Sequence, residues 1–132
     1  MERIKIMVVN NVMYAQIPFW SISDNEYRGM FVMIDTGATT TAFSSDVLKD
    51  LGCYSESKKG TARTAGGFVD TYEVIVPKIK VGNMELADVG VSSHELLNEF
   101  PFDGILGMNI LMQFNFSIDF DENIVTFKKR GT

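Results

Sequence analysis

The chain is expected to fold as an all-β protein, a small closed or orthogonally packed barrel carrying one or two short helices. Three observations lead there. Apolar and polar residues alternate with a period of two through most of the sequence, the repeat of a half-buried strand. The alternating stretches are short and are separated by glycine, asparagine and aspartate turn signals. The 132 residues, 45% hydrophobic and 22% charged, can bury a core without disulfide or metal staples. No internal repeat or linker interrupts them, so residues 1–132 read as one domain.

The elements follow in order. Ile4, Ile6 and Val8 alternate with Arg3, Lys5 and Met7 and predict a first strand, which turns at Asn10-Asn11. Val12 to Trp20 is a second extended segment, with a loop at Ser23-Asp24-Asn25-Glu26. Phe31-Val32-Met33-Ile34 is a continuous apolar run, as expected of a strand covered on both faces, and it stops at Asp35-Thr36-Gly37. Ser44 or Ser45 is placed to cap a short helix ending at Leu51, with Gly52 as its stop. Tyr54 to Thr64 and Phe68 to Val76 predict a hairpin around Ala65-Gly66-Gly67, and Pro77 is expected to end it. Gly82-Asn83 predicts a second hairpin, whose return strand continues through Val89 and Val91. Phe102 to Gly107 reads as a strand between two glycines, and Met108 to Gln113 as a short helix. Phe114 to Phe120 alternates, turns at Asp121-Glu122-Asn123, and returns as Ile124 to Phe127.

Composition removes several function classes. The net charge of −5 argues against nucleic acid, which needs clustered Lys and Arg, and Lys128-Lys129-Arg130 reads as a solvated chain end. Cys53 is the only cysteine, so no intrachain disulfide can form, and it reads as a small, partly buried hydrophobe. His94, the only histidine, lies in a polar stretch that reads as loop or helix start, and is taken as a surface residue. The acids are scattered and no His/Cys cluster exists, so neither metal nor organic cofactor is implied. No run is long enough to span a membrane, and charges inside Met1–Ile6 do not fit a signal peptide. A soluble, cytoplasmic protein is the expectation.

The chemistry concentrates at Asp35-Thr36-Gly37-Ala38. An acid at the end of a buried apolar strand is costly to desolvate unless its charge is shared or hydrogen-bonded. Gly37 lets the backbone turn beside the carboxylate with its N–H facing it, and Thr36 offers a hydroxyl. The tripeptide alone also fits a plain turn. The second element is Phe102-Asp103-Gly104-Ile105-Leu106-Gly107-Met108-Asn109: two aliphatic residues, a glycine, then a short helix. With both segments in this order, the chain resembles the retropepsin-like family of small bacterial, archaeal and retroviral aspartic peptidases. As a pattern of elements, the resemblance spans roughly residues 28 to 127.

The resemblance implies an acid-protease barrel in which the Ile105-Leu106 strand threads beside the Asp35 loop. It implies a flap hairpin at Thr64-Ala65-Gly66-Gly67-Phe68. It assigns catalysis to Asp35, Thr36 and Gly37. Substrate contacts fall to Ala38, Ala65, Gly66, Gly67, Ile105 and Leu106. The substrate is an extended peptide, cleaved between apolar residues. The family mechanism needs two carboxylates, and this sequence holds one Asp-Thr-Gly. The second Asp35 must then come from a second copy on a two-fold axis, giving a C₂ homodimer.

The pattern also departs from the viral enzymes. Their acid two residues after the glycine and their arginine after the downstream glycine are here Thr39 and Met108, so both charges are missing together. Ala38 stands where a serine can stabilise the ionised aspartate, which predicts a less acidic pH optimum than that of pepsin-like enzymes. The closing hairpin suggests a dimer contact built differently, through the Ile124–Phe127 strand, although its phenylalanines also suit the core. Two other readings compete: a retropepsin-fold dimerisation or peptide-binding module without turnover, and an unrelated ligand-binding barrel.

Overall fold

The structure, a computed structural model, describes residues 1–131. Eleven strands and three short helices follow one another: β1 (Glu2–Lys5), β2 (Met7–Val9), β3 (Val12–Ser21), β4 (Glu26–Ile34), β5 (Ala42–Ser44), α1 (Ser45–Leu51), β6 (Lys59–Thr64), β7 (Gly67–Val81), β8 (Met84–His94), a 3₁₀ turn (Glu95–Glu99), β9 (Gly104–Leu106), α2 (Met108–Leu111), β10 (Phe114–Asp119) and β11 (Ile124–Lys129).

The eight-stranded sheet runs β2-β3-β4-β9-β5-β8-β7-β6, and β3 also meets β7 at Phe19–Ile79. That contact joins β3, β4, β9, β5, β8 and β7 into a closed ring, with β2 and β6 outside it. The ring interior holds Ile17, Phe19, Val32, Phe43, Val76, Val91 and Leu106, all essentially buried. A separate antiparallel sheet, β1-β11-β10, packs Phe114, Val125 and Phe127 into the same core.

Most elements form where the sequence places them, and the main exceptions are set by the strands they pair with. The first strand is split at Ile6. β1 pairs with β11 and β2 with β3, while Ile6 turns inward, buried, with its N–H on the Asn123 carbonyl at 2.9 Å. Pro77 does not end the hairpin strand; β7 runs through it to Val81. Ladder pairs form on either side, Val76–Val89 and Lys78–Ala87, while the opposing Asp88 has a φ of 52° and leaves the proline no ladder N–H to supply. The Tyr54 segment becomes strand only from Lys59.

The run before Asp35 is not covered on both faces. Val32 and Ile34 are buried, whereas Phe31 and Met33 are half-buried on the opposite side. β11 lies between β1 and β10, so the Ile124–Phe127 segment has no free edge for a dimer contact. Phe114 and Phe127 are core, Phe116 is half-buried, and Phe120 is exposed at the β10–β11 tip. Among the described residues no helix is long and apolar enough to cross a membrane.

Candidate active site

Asp35 is placed by strand pairing. β4 and β9 run parallel, with Ile34 beside Leu106, so the chain leaves β4 against the C-terminal end of β9. The Asp35 N–H donates to the Leu106 carbonyl at 3.1 Å. The following turn is pinned from within. The Gly37 N–H donates to Asp35 Oδ1 at 2.8 Å, and the Ala38 N–H to the Asp35 carbonyl at 3.2 Å. One carboxylate oxygen is thus held while the side chain stays half-buried; Thr36 and Gly37 are exposed.

A second set of bonds fixes the far side of the loop. The Met108 N–H donates to the Ala38 carbonyl at 2.8 Å. Thr41, fully buried, donates its N–H and its hydroxyl to Asn109 Oδ1 at 2.8 and 2.7 Å, and accepts the Gly107 N–H on Oγ1 at 3.0 Å. Asn109 Nδ2 reaches the Gly90 carbonyl at 3.0 Å, and the Ser92 N–H donates to the Thr41 carbonyl at 2.9 Å. A charged brace lies at the other end of β9. Asp103 accepts the Phe31 N–H on Oδ2 at 2.8 Å and donates its own N–H to the Phe31 carbonyl. Thr41 carries the loop with no signal in the sequence, and Asp103 stands in the downstream motif as an acid before a glycine, with no bracing role assigned to it. Asn109 was visible only as the last residue of the downstream motif.

Two cavities flank the loop. The first, about 630 Å³, is lined by Asp35 with Val8, Val12, Met13, Met33 and Phe120; Asp35 is its only acid. The second, about 490 Å³, lies between the loop residues Gly37–Thr40 and the β6–β7 hairpin, with Glu73, Ser92 and His94 in its floor. This hairpin is the expected flap. Its tip is the two-residue turn Ala65-Gly66 between the paired Thr64 and Gly67, with Gly67 at a φ of 111° and Phe68 exposed beside it.

Not every expected contact residue reaches these cavities. Ala38 lines the cleft under the hairpin. Ala65, Gly66 and Gly67 are exposed at the tip and line neither cavity. Ile105 is half-buried, and Leu106 is fully buried in the core, where its carbonyl rather than its side chain serves the site.

His94 is not a free surface residue. It ends β8, half-buried, with Nε2 3.0 Å from Ser92 Oγ. Burial lowers its pKa below the ordinary value, partly opposed by the nearby Glu73 carboxylate. Cys53 is half-buried, lines neither cavity, and hydrogen-bonds to the Leu48 carbonyl; burial pushes its thiol up to about 11, the opposite of an activated nucleophile. Among the described residues no three His, Cys, Asp or Glu side chains are gathered to hold a metal.

The sequence model described as aspartyl protease matches residues 21–110 of this chain. A search of curated protein sequences finds no match. Among solved structures, the chain resembles a retropepsin-like aspartic protease from Rickettsia conorii, with a TM-score of 0.64 and 20% identity over 93% of this chain and 86% of that one. It also resembles the EIAV protease complexed with the inhibitor HBY-793, with a TM-score of 0.58 and 22% identity over 79% of this chain and 88% of that one. The retroviral protease-like domain of Ddi1 from Leishmania major superposes with a TM-score of 0.56 and 15% identity over 89% of this chain and 88% of that one. At these identities the superpositions speak for the fold, and the sequence match supplies the lineage: the chain belongs to the aspartyl protease family and has the retropepsin-like fold.

Proposed function

We propose that two copies of this chain meet at Asp35 and form one aspartic endopeptidase site. One observation carries the reading. Asp35 is a half-buried carboxylate on a loop clamped from both sides, and no second acid shares its cavity. A lone acid held this way lacks the partner that the family chemistry needs, and a two-fold axis beside it supplies an identical one.

The mechanism follows from that pairing. Two carboxylates about 3 Å apart hold one proton between them and titrate as a pair. The ionised Asp35 takes a proton from the water between them. Water oxygen attacks the scissile carbonyl carbon, and the protonated Asp35 donates to the carbonyl oxygen. The resulting diol collapses, the C–N bond breaks, and the amine leaves with a proton from the dyad. Gly37 N–H holds one oxygen of each carboxylate, so the dyad is oriented before substrate arrives. Thr36, exposed beside it, reaches its counterpart across the axis. Substrate lies extended under the β6–β7 flap, against Ala38 and the exposed tip.

The second copy covers the apolar surface beside Asp35, where Val8 of β2 and Phe120 are exposed in the single chain. The function is tested with a peptide-library cleavage assay, with Asp35→Asn as control. Cleavage abolished by that change supports the reading. A confirmed dimer that cleaves nothing across the acidic and neutral range supports the binding-module alternative instead.

A further inference from the structure

The cleft under the flap is far more polar than cleavage between apolar residues requires. Its lining includes Thr39, Thr40, Thr61 and Thr71, together with Arg63, Glu73 and His94. Glu73 stands out among these. It is half-buried on β7, and it takes part in neither of the two salt bridges found among the described residues. A half-buried carboxylate in a binding cleft with no cation paired to it suits a ligand that brings the charge.

Its position is defined. An atom placed where a Cβ on Gly60 would stand lies 3.5 Å from Glu73 Oε1, so the carboxylate overhangs β6 on the cleft side. A bulkier residue at 60 would crowd that space. Lys58 stands directly across from it in the hairpin register, but no ion pair joins the two among the described residues. His94 shares the cleft floor and is held toward its neutral form by burial. Lys59 is paired with Asp70 at 3.3 Å. Arg63 also lines the cleft, but the hairpin register separates it from Glu73. The Glu73 N–H bonds to the Lys58 carbonyl, and Arg63 lies five residues farther toward the tip, roughly 16 Å along the strand. The cleft lining therefore holds an acid toward the base of the flap and a cation toward its tip.

We propose that Glu73 selects a substrate carrying a basic side chain, lysine or arginine, at the position that lies under the base of the flap. This deepens the peptidase reading and rests on it. The apolar residues expected at the scissile bond then lie at the Gly37–Ala38 end of the cleft, beside Asp35. The basic residue lies farther along the peptide.

The test separates recognition from turnover. Fluorescence anisotropy measures labelled extended peptides on the Asp35→Asn protein, with one lysine, or its neutral isostere norleucine, moved along the chain. The expected result is about tenfold tighter binding for lysine at one position. Glu73→Gln removes that preference, and Glu73→Lys reverses it toward a glutamate at the same position. Equal binding of lysine and norleucine peptides at every position overturns the proposal and leaves the peptidase reading standing. So does a preference that survives Glu73→Gln, whereas an Asp35→Asn dimer that binds no peptide removes both.

Discussion

Ala38 sits one residue beyond the glycine that holds Asp35, and it has only a methyl group to offer the carboxylate. Ala38→Ser adds a hydroxyl that can donate to the ionised form, favouring it and lowering the lower pKa of the dyad. The acid limb of the kcat/KM profile should move to lower pH; a limb that stays put would show that residue 38 does not face the dyad. Thr41 acts at one remove. Thr41→Val keeps the shape but leaves the buried Gly107 N–H and Asn109 Oδ1 short of partners. The expected loss is about 1–3 kcal/mol in urea unfolding, with kcat falling more than KM rises. His94 makes a pH prediction of defined sign. Its folded pKa is depressed by burial below the unfolded value of 6.5. The stability it contributes is therefore present above that value and is lost as pH falls through the folded one. Thermal melts below pH 6.5 should show His94→Asn losing less Tm on acidification than the parent; an equal loss contradicts the assignment. The Asp35 motif was readable in the sequence because its turn and its carboxylate bond are local. Thr41, Asn109 and Glu73 were not, because their roles come from strands brought together across the barrel.

Among the elements, the exit of β9 at Gly107 leaves no room for a side chain. A methyl group on Gly107 would lie 2.6 Å from the Thr40 carbonyl and 2.8 Å from the Thr41 nitrogen, both backbone atoms. Gly107→Ala must push the active-site loop outward. It should cost about 1–3 kcal/mol and most of the activity, read by thermal melting and peptide turnover. A fully active Gly107→Ala enzyme would mean that the loop need not be clamped. Strand order was legible wherever a turn residue and a period of two coincide, as at Asn10-Asn11 and Gly82-Asn83. It failed where pairing partners decide. Nothing local divides Ile4–Val8 between two sheets; β11 on one side and β3 on the other do so. Pro77 reads as a breaker in isolation, and is tolerated because Asp88 opposite it leaves the ladder at that step.

For the whole molecule, the closed ring protects its own strand edges and leaves β2 and the flap strand β6 outside it. β2 carries three consecutive exposed apolar side chains, Met7, Val8 and Val9, a costly surface on a lone subunit. Phe120 completes it beside Asp35. Replacing Phe120 with Asp should shift the protein toward monomer in sedimentation velocity and lower specific activity at low concentration more than at high. A concentration-independent activity would place the second copy elsewhere. The β10–β11 hairpin was predicted, but its tip reaching the Asp35 cavity depends on how the two sheets pack, which no local pattern encodes. The most direct measurement is a subunit titration. Activity is followed at constant wild-type concentration while Asp35→Asn chains are added under conditions of subunit exchange. The account predicts a steady fall toward zero, as wild-type chains are drawn into mixed dimers that hold one native carboxylate. Constant activity, with mixed dimers confirmed by intact-complex mass spectrometry, would contradict it, since a single chain would then carry a complete site.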